Sequence, residues 1–181
     1  PLTIGDGMAL RIPAGRVLML QIHYTSTGTP EKCHLSVGFR FARGKVKQEL
    51  HHLLLRSNDF EIPAGAGNHK VTSTETLDQA TTGFGLLTHM HLRGKDMTYL
   101  AHYPDGKTET LLIIPNYSFD WQMGYRWKPH TKTFPAGTRF EVVAHFDNSE
   151  FNPYNPDPKK RVREGRQTFH EMMYGFYFYT D

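Results

Sequence analysis

Tyr99-Leu100-Ala101-His102-Tyr103-Pro104-Asp105-Gly106-Lys107-Thr108-Glu109-Thr110-Leu111-Leu112-Ile113-Ile114 reads as a β-hairpin. Two strand-like runs, Tyr99 to Tyr103 and Thr108 to Ile114, flank Pro104-Asp105-Gly106-Lys107, and an Asp-Gly pair in that setting is a strong short-range hairpin signal. The same period of two recurs outward from it. Arg16 to Tyr24 puts Leu18, Leu20, Ile22 and Tyr24 on one face, opposite Val17, Met19, Gln21 and His23. Leu35, Val37, Phe39 and Phe41 alternate with Ser36, Gly38 and Arg40; Arg139 to Phe146 is a further strand, and Phe169 to Tyr179 closes the chain. Long helical periodicity is missing, and only Lys47 to Arg56 reads as either a short helix or a strand. Many short strands with Gly/Pro turns predict an all-β fold, an antiparallel β-sandwich of the jelly-roll type.

A repeat divides the chain. Ile12-Pro13-Ala14-Gly15 and Phe134-Pro135-Ala136-Gly137 each lead into a strand that reaches a histidine ten residues after its proline, His23 and His145. Val37-Gly38-Phe39-Arg40-Phe41 then echoes Tyr174-Gly175-Phe176-Tyr177-Phe178. Two similar sandwiches in tandem would explain both correspondences. On that reading, residues 1–46 are the terminal strands of a first, incomplete sandwich and residues 57–181 form a complete second one. Such a half sandwich must pack on the second domain, on a missing N-terminal half or on a partner protein.

Composition narrows the function. The 181 residues are 38% hydrophobic and 22% charged, with a net charge of +3. The small excess is scattered apart from Lys159-Lys160-Arg161 and Arg163, with no basic strip interleaved with aromatics, so nucleic acid is not an expected partner. No apolar run approaches the roughly 18 residues that span a bilayer, so no transmembrane segment is expected. Cys33 is the single cysteine, which rules out an intrachain disulfide and a Cys-based zinc site. Pro1-Leu2-Thr3-Ile4 carries neither an initiator Met nor a signal-like apolar stretch, so a processed start or a cut from a longer chain is expected.

The chemistry concentrates in Leu87-Thr88-His89-Met90-His91-Leu92-Arg93-Gly94-Lys95-Asp96-Met97. Residues two apart on a strand share a face, so His89 and His91 present parallel imidazoles, half of a metal site. The other half is sought in Thr168-Phe169-His170-Glu171-Met172-Met173-Tyr174-Gly175-Phe176, where Met172 shares a strand face with His170 and Tyr174, and Met173 does not. A thioether is soft and suits copper, especially Cu(I), while imidazole accepts either oxidation state. Zinc is the alternative metal. The Asp147-Asn148-Ser149 and Asn152-Pro153-Tyr154-Asn155-Pro156-Asp157-Pro158 stretch reads first as turns, with calcium as a weaker reading.

His89-Met90-His91 followed by Glu171-Met172 in a Tyr/Phe-rich strand resembles the copper type II, ascorbate-dependent monooxygenases, among them peptidylglycine alpha-hydroxylating and dopamine beta-monooxygenase. Asp-Asn-Ser, Asn-Pro-Asp-Pro and Met-His-Leu-Arg-Gly-Lys resemble the family's bacterial relatives, often joined to a c-type cytochrome module. The resemblance implies two tandem β-sandwiches, with copper on His89, His91 and Met172 in the second activating O2 for C–H hydroxylation. It also implies that His23, in Gln21-Ile22-His23-Tyr24, is the third ligand of an electron-donating copper in the first. A periplasmic or secreted location and a c-type cytochrome or membrane-complex partner follow from the same likeness. Two departures stand out. The family's His-His pair precedes the Gln-X-His-Tyr strand, whereas His51-His52 follows it here and takes no ligand role. Where the peptide hydroxylase grips its substrate with Arg, Asn and Tyr, this chain has Leu87, Tyr174 and Phe176, so a different substrate is expected. The alternative function is a non-catalytic structural or adaptor subunit of a larger extracytoplasmic complex that keeps the fold; a copper carrier is a third reading.

Overall fold

A computed structural model describes residues 4–5, 7–24 and 27–181. Pro1-Leu2-Thr3, at the start of the chain, lies outside the described residues. The chain divides into two compact units, Pro1–Leu50 and His51–Asp181. Among the described residues there is no helix, and so none long and apolar enough to cross a membrane.

In the first unit two short strands, β1 (Met8–Ala9) and β2 (Gln48–Glu49), pair in parallel. The stretches 16–24 and 35–41 carry no strand among their described residues. Val17 is 92% and Met19 90% exposed. Alternation supplies two faces, but a strand also needs a hydrogen-bonded neighbour, and no ladder forms here.

The second unit is an all-β sandwich. Its strands are β3 (His51–Ser57), β4 (Glu61–Ile62), β5 (His69–Thr76), β6 (Thr81–His89), β7 (Gly94–His102) and β8 (Thr108–Ile114). β9 (Gly124–Arg126), β10 (Thr133–Phe134), β11 (Arg139–Phe146), β12 (Val162–Arg163) and β13 (Met173–Thr180) complete it. One antiparallel sheet runs β10-β6-β13-β3, with β9 also on β6; the other runs β5-β11-β7-β8. A small β4–β12 ribbon stands apart. Apart from the β7–β8 hairpin, successive long strands cross between the two sheets in the order of a double Greek key, the jelly-roll arrangement. Residues 51–57 thus form an edge strand paired with β13, which settles the helix-or-strand ambiguity at Lys47 to Arg56.

The hairpin between β7 and β8 forms as its sequence demands. Gly106 takes φ of +87°, and the Asp105 carboxylate accepts the Lys107 N–H at 3.0 Å. All three Pro-Ala-Gly turns also share a left-handed glycine, with φ of +75° at Gly15, +70° at Gly65 and +80° at Gly137.

The core lies between the sheets. β11 alternates half-buried and buried along its whole length, so that Phe140, Val142, Ala144 and Phe146 are all fully buried. Phe140 meets Tyr177 of the facing sheet with ring centroids 4.5 Å apart and Phe134 at 4.9 Å. Aromatic contacts of this kind add to the burial of large side chains. Two hydroxyls complete the interior: Tyr99 donates across the sandwich to the Leu87 carbonyl at 2.6 Å, and Tyr177 shares a 2.8 Å hydrogen bond with Thr81. Both have partners, as buried hydroxyls require.

Candidate metal centre

β6 ends at His89, where its ladder with β13 begins at Tyr174. Met173, the first residue of β13, is fully buried in the core, and Met172 precedes the strand. Tyr174 touches His89, ring centroid to ring centroid 6.1 Å. The ladder stops at that pair, so it does not set Met172 against His91; Met172 is 8% exposed.

His91 lies beyond the last ladder pair, so sheet pairing does not hold it. Side chains replace the missing ladder. The Tyr117 hydroxyl accepts the Met90 N–H at 3.0 Å and donates to the Met90 carbonyl at 2.6 Å. The Glu171 carboxylate accepts the His91 N–H at 2.8 Å and the Arg93 N–H at 2.7 Å, one on each oxygen. Gly94 permits this arrangement: a Cβ there would lie 2.7 Å from both Met90 Cβ and the Tyr117 ring.

The two rings are set edge to face, with centroids 5.1 Å apart and an interplanar angle of 82°. His89 Nδ1 is 2.7 Å from Gln122 Oε1, and Gln122 spends its own N–H on the Phe119 carbonyl at 2.8 Å, which fixes the amide orientation. His91 Nδ1 is 3.1 Å from the His170 carbonyl. Both partners only accept, so each Nδ1 donates its N–H to them. Such outer bonds orient imidazole ligands in metal sites. Two imidazoles bound through nitrogen at about 2.0 Å with tetrahedral angles have centroids about 5 Å apart, a spacing that this pair matches. Two imidazoles and a thioether form a donor set suited to copper. Among the described residues no group of three or more His, Cys, Asp and Glu side chains is disposed to hold a metal.

Behind the two histidines lies a buried polar network that the sequence motifs did not announce. Glu171 and Arg93 are 0% and 2% exposed, and Arg93 Nη1 lies 3.9 Å from Glu171. Burial pushes the Glu171 carboxyl up to about 7, opposed by the Arg93 and His91 N–H groups and the Arg93 charge. Arg93 also donates to Asn148 Oδ1 at 2.8 Å and to the Phe169 carbonyl at 3.0 Å. Asn148, fully buried, donates to the Pro63 and Lys160 carbonyls, both at 2.9 Å, and accepts from Asn155 at 3.1 Å. Its amide is thereby saturated, two donors and two acceptor positions. Met-His-Leu-Arg-Gly-Lys, Asp-Asn-Ser, Asn-Pro-Asp-Pro and Glu-Met, scattered over some eighty residues, meet here. Asp147 Oδ1 likewise serves the Ser149 N–H and hydroxyl, at 2.9 and 2.6 Å, as a turn former does.

The other histidines lie elsewhere. His23 belongs to the first unit and is exposed. His51 pairs with Asp181 at 3.2 Å and His145 with Asp96 at 2.7 Å. His170 is half-buried and contributes its carbonyl, not its ring, to His91. The aromatic cluster around Asp120-Trp121-Gln122 divides: Trp127 packs on the core, Phe119 stands edge-on to His91 at 5.8 Å, and Trp121 is 71% exposed.

No protein-family model and no curated protein matches the chain. Among solved structures it is similar to the structure of the infectious bursal disease virus Gt strain. The TM-score is 0.33 and the identity 10%, over 84% of this chain and 38% of that one.

Proposed function

We propose that this chain is the copper-binding domain of a type II copper monooxygenase-like protein, with His89, His91 and Met172 as the ligands. The observation that supports the reading is the histidine pair: rings 5.1 Å apart, each with Nδ1 tied to an oxygen acceptor. Copper, when bound, supplies one-electron redox chemistry and O2 activation for C–H hydroxylation. The chain's own part is to hold the donors. Gln122 and the His170 carbonyl fix ring tautomer and tilt, while Glu171 and Tyr117 fix the backbone that carries the rings. The same reading carries a periplasmic or secreted location, and electrons from a c-type cytochrome or from a second copper in an accompanying domain.

Titration of the purified chain with Cu(I) and Cu(II) tests it. One equivalent should bind, His89→Ala and His91→Ala should each abolish tight binding, and Met172→Ile should weaken Cu(I) far more than Cu(II). Copper that binds equally well to the His89→Ala chain would sink the assignment. Ascorbate-dependent O2 consumption separates an enzyme from a carrier that holds copper without turnover.

The second reading is a non-catalytic structural or adaptor subunit of a larger extracytoplasmic complex. Exposed apolar side chains in the first unit favour it, Val17 at 92%, Met19 at 90% and Phe41 at 77%. Stable co-purification with partners, without copper, is its signature.

A further inference from the structure

A cleft of about 230 Å³ opens between the 116–120 stretch that follows β8 and the 151–154 stretch of the β11–β12 connection. It is lined by Lys95 of β7 and Asp147 after β11, by Phe119 and Asp120 on the first stretch, and by Phe151 and Tyr154 on the second. The second stretch is fastened down. Asn152 donates to the Leu92 and Asp147 carbonyls at 3.2 and 2.8 Å, and its Oδ1 accepts the Tyr154 N–H at 3.0 Å. On that fixed backbone Phe151 and Tyr154 stay 85% and 66% exposed, flat apolar surface left in water. The polar groups of the cleft are only part used. Lys95 Nζ gives two of its three N–H donors, to the Gly67 carbonyl at 3.2 Å and to Asn68 Oδ1 at 3.0 Å. Asp147 spends Oδ1 on Ser149, and Asp120 is exposed, in no hydrogen bond or ion pair among the described residues.

One donor, open acceptors and exposed ring faces define a ligand by its chemistry. An anion would meet Asp120 and Asp147, a cation would meet Lys95, and a wholly apolar body would strand all three. A hydroxyl gives and takes a hydrogen bond at once, so a neutral polyhydroxyl ligand answers the whole set. We propose that this cleft binds a neutral sugar, one pyranose ring with its apolar C–H face on Phe151 and Tyr154 and neighbouring hydroxyls on Asp120 and Lys95. The aromatic faces take the C–H face by dispersion and burial of flat surface. Pockets that enclose drug-sized ligands start near roughly 300 Å³, so a cleft of about 230 Å³ admits one ring and leaves the rest of a glycan in solvent. The pinned loop sets both rings before the ligand arrives, so little order has to be gained on binding. The inference stands apart from the copper reading, since none of these four side chains is a proposed ligand.

Saturation-transfer NMR on the metal-free chain with the methyl glycosides of glucose, galactose, mannose and N-acetylglucosamine tests the proposal. At least one should bind with a Kd of about 1–10 mM, and saturation should be strongest at the C–H protons of one ring face. Cyclohexylmethanol, a ring without the other hydroxyls, and tetramethylammonium, a bare organic cation, should not displace it. Phe151→Ala and Tyr154→Ala should each weaken the glycoside roughly tenfold, and Asp120→Ala about fivefold. All three side chains are exposed, so the variants should melt with the parent chain. Binding of no glycoside, displacement by either control, or undiminished binding to any of the three variants overturns the proposal.

Discussion

Residues 16–24 and β11 carry the same signature in sequence, alternating apolar residues after a Pro-Ala-Gly turn, and end in opposite conditions. In β11 every second side chain is fully buried, with β5 paired on one side and β7 on the other. In 16–24 no ladder forms among the described residues, and Val17 and Met19 are almost wholly exposed. The turn is shared as well, down to a left-handed glycine at Gly15 and Gly137. Local signals therefore specify a strand-ready segment, and only a facing sheet converts readiness into a buried strand.

The largest test of that contrast is a pair of truncations. Phe140→Ala should destabilise the sandwich by about 3–5 kcal/mol, since it empties a site between Phe134 and Tyr177. Met19→Ala should change stability by less than about 0.5 kcal/mol. Urea denaturation of both variants reads the difference; equal effects would mean that Met19 is covered in solution. A smaller contrast uses glycines. Gly94→Ala forces a methyl against Met90 and Tyr117 and should cost about 1–3 kcal/mol, while Gly38→Ala, with nothing within 4 Å, should be neutral. On the proposed copper reading the Gly94 variant should also loosen the metal, because the Tyr117 hydroxyl holds the backbone between the two histidines.

The smallest effect is a pH dependence confined to the sandwich. Lys132 and the Tyr103 hydroxyl, both bonded to Glu109, hold its carboxyl below the ordinary value. Its stabilising contribution is therefore complete above about pH 4.3, the unfolded value, and lost as pH falls through the folded one. Glu109→Gln should flatten that part of the acid limb in thermal melts recorded from pH 6 to pH 3. An unchanged limb would show that the pair contributes nothing.

Much of the sandwich was legible because its signals are local. Asp105-Gly106 named the hairpin, and Arg139 to Phe146 is β11 to the residue. The sharing of one face by His89 and His91 was argued from strand alternation, although β6 stops at His89 and Glu171 carries the chain on. What escaped was long-range. Nothing near Arg93 in sequence indicates that its charge is buried against Glu171 and Asn148, since the three come from separate loops. A buried arginine shows no periodicity, and the one available sign was its place between a His-X-His and a glycine. The 16–24 and 35–41 stretches were misleading for the converse reason, their alternation being complete without a partner to complete it.

Asn148 ties four stretches of chain, at Pro63, Arg93, Asn155 and Lys160, through one small amide. A surface excursion fastened in this way has lost the usual freedom of such segments to breathe on their own. Its amide protons should share the slow exchange of the interior, and lengthening it by one residue would disturb the imidazoles before it disturbed any strand.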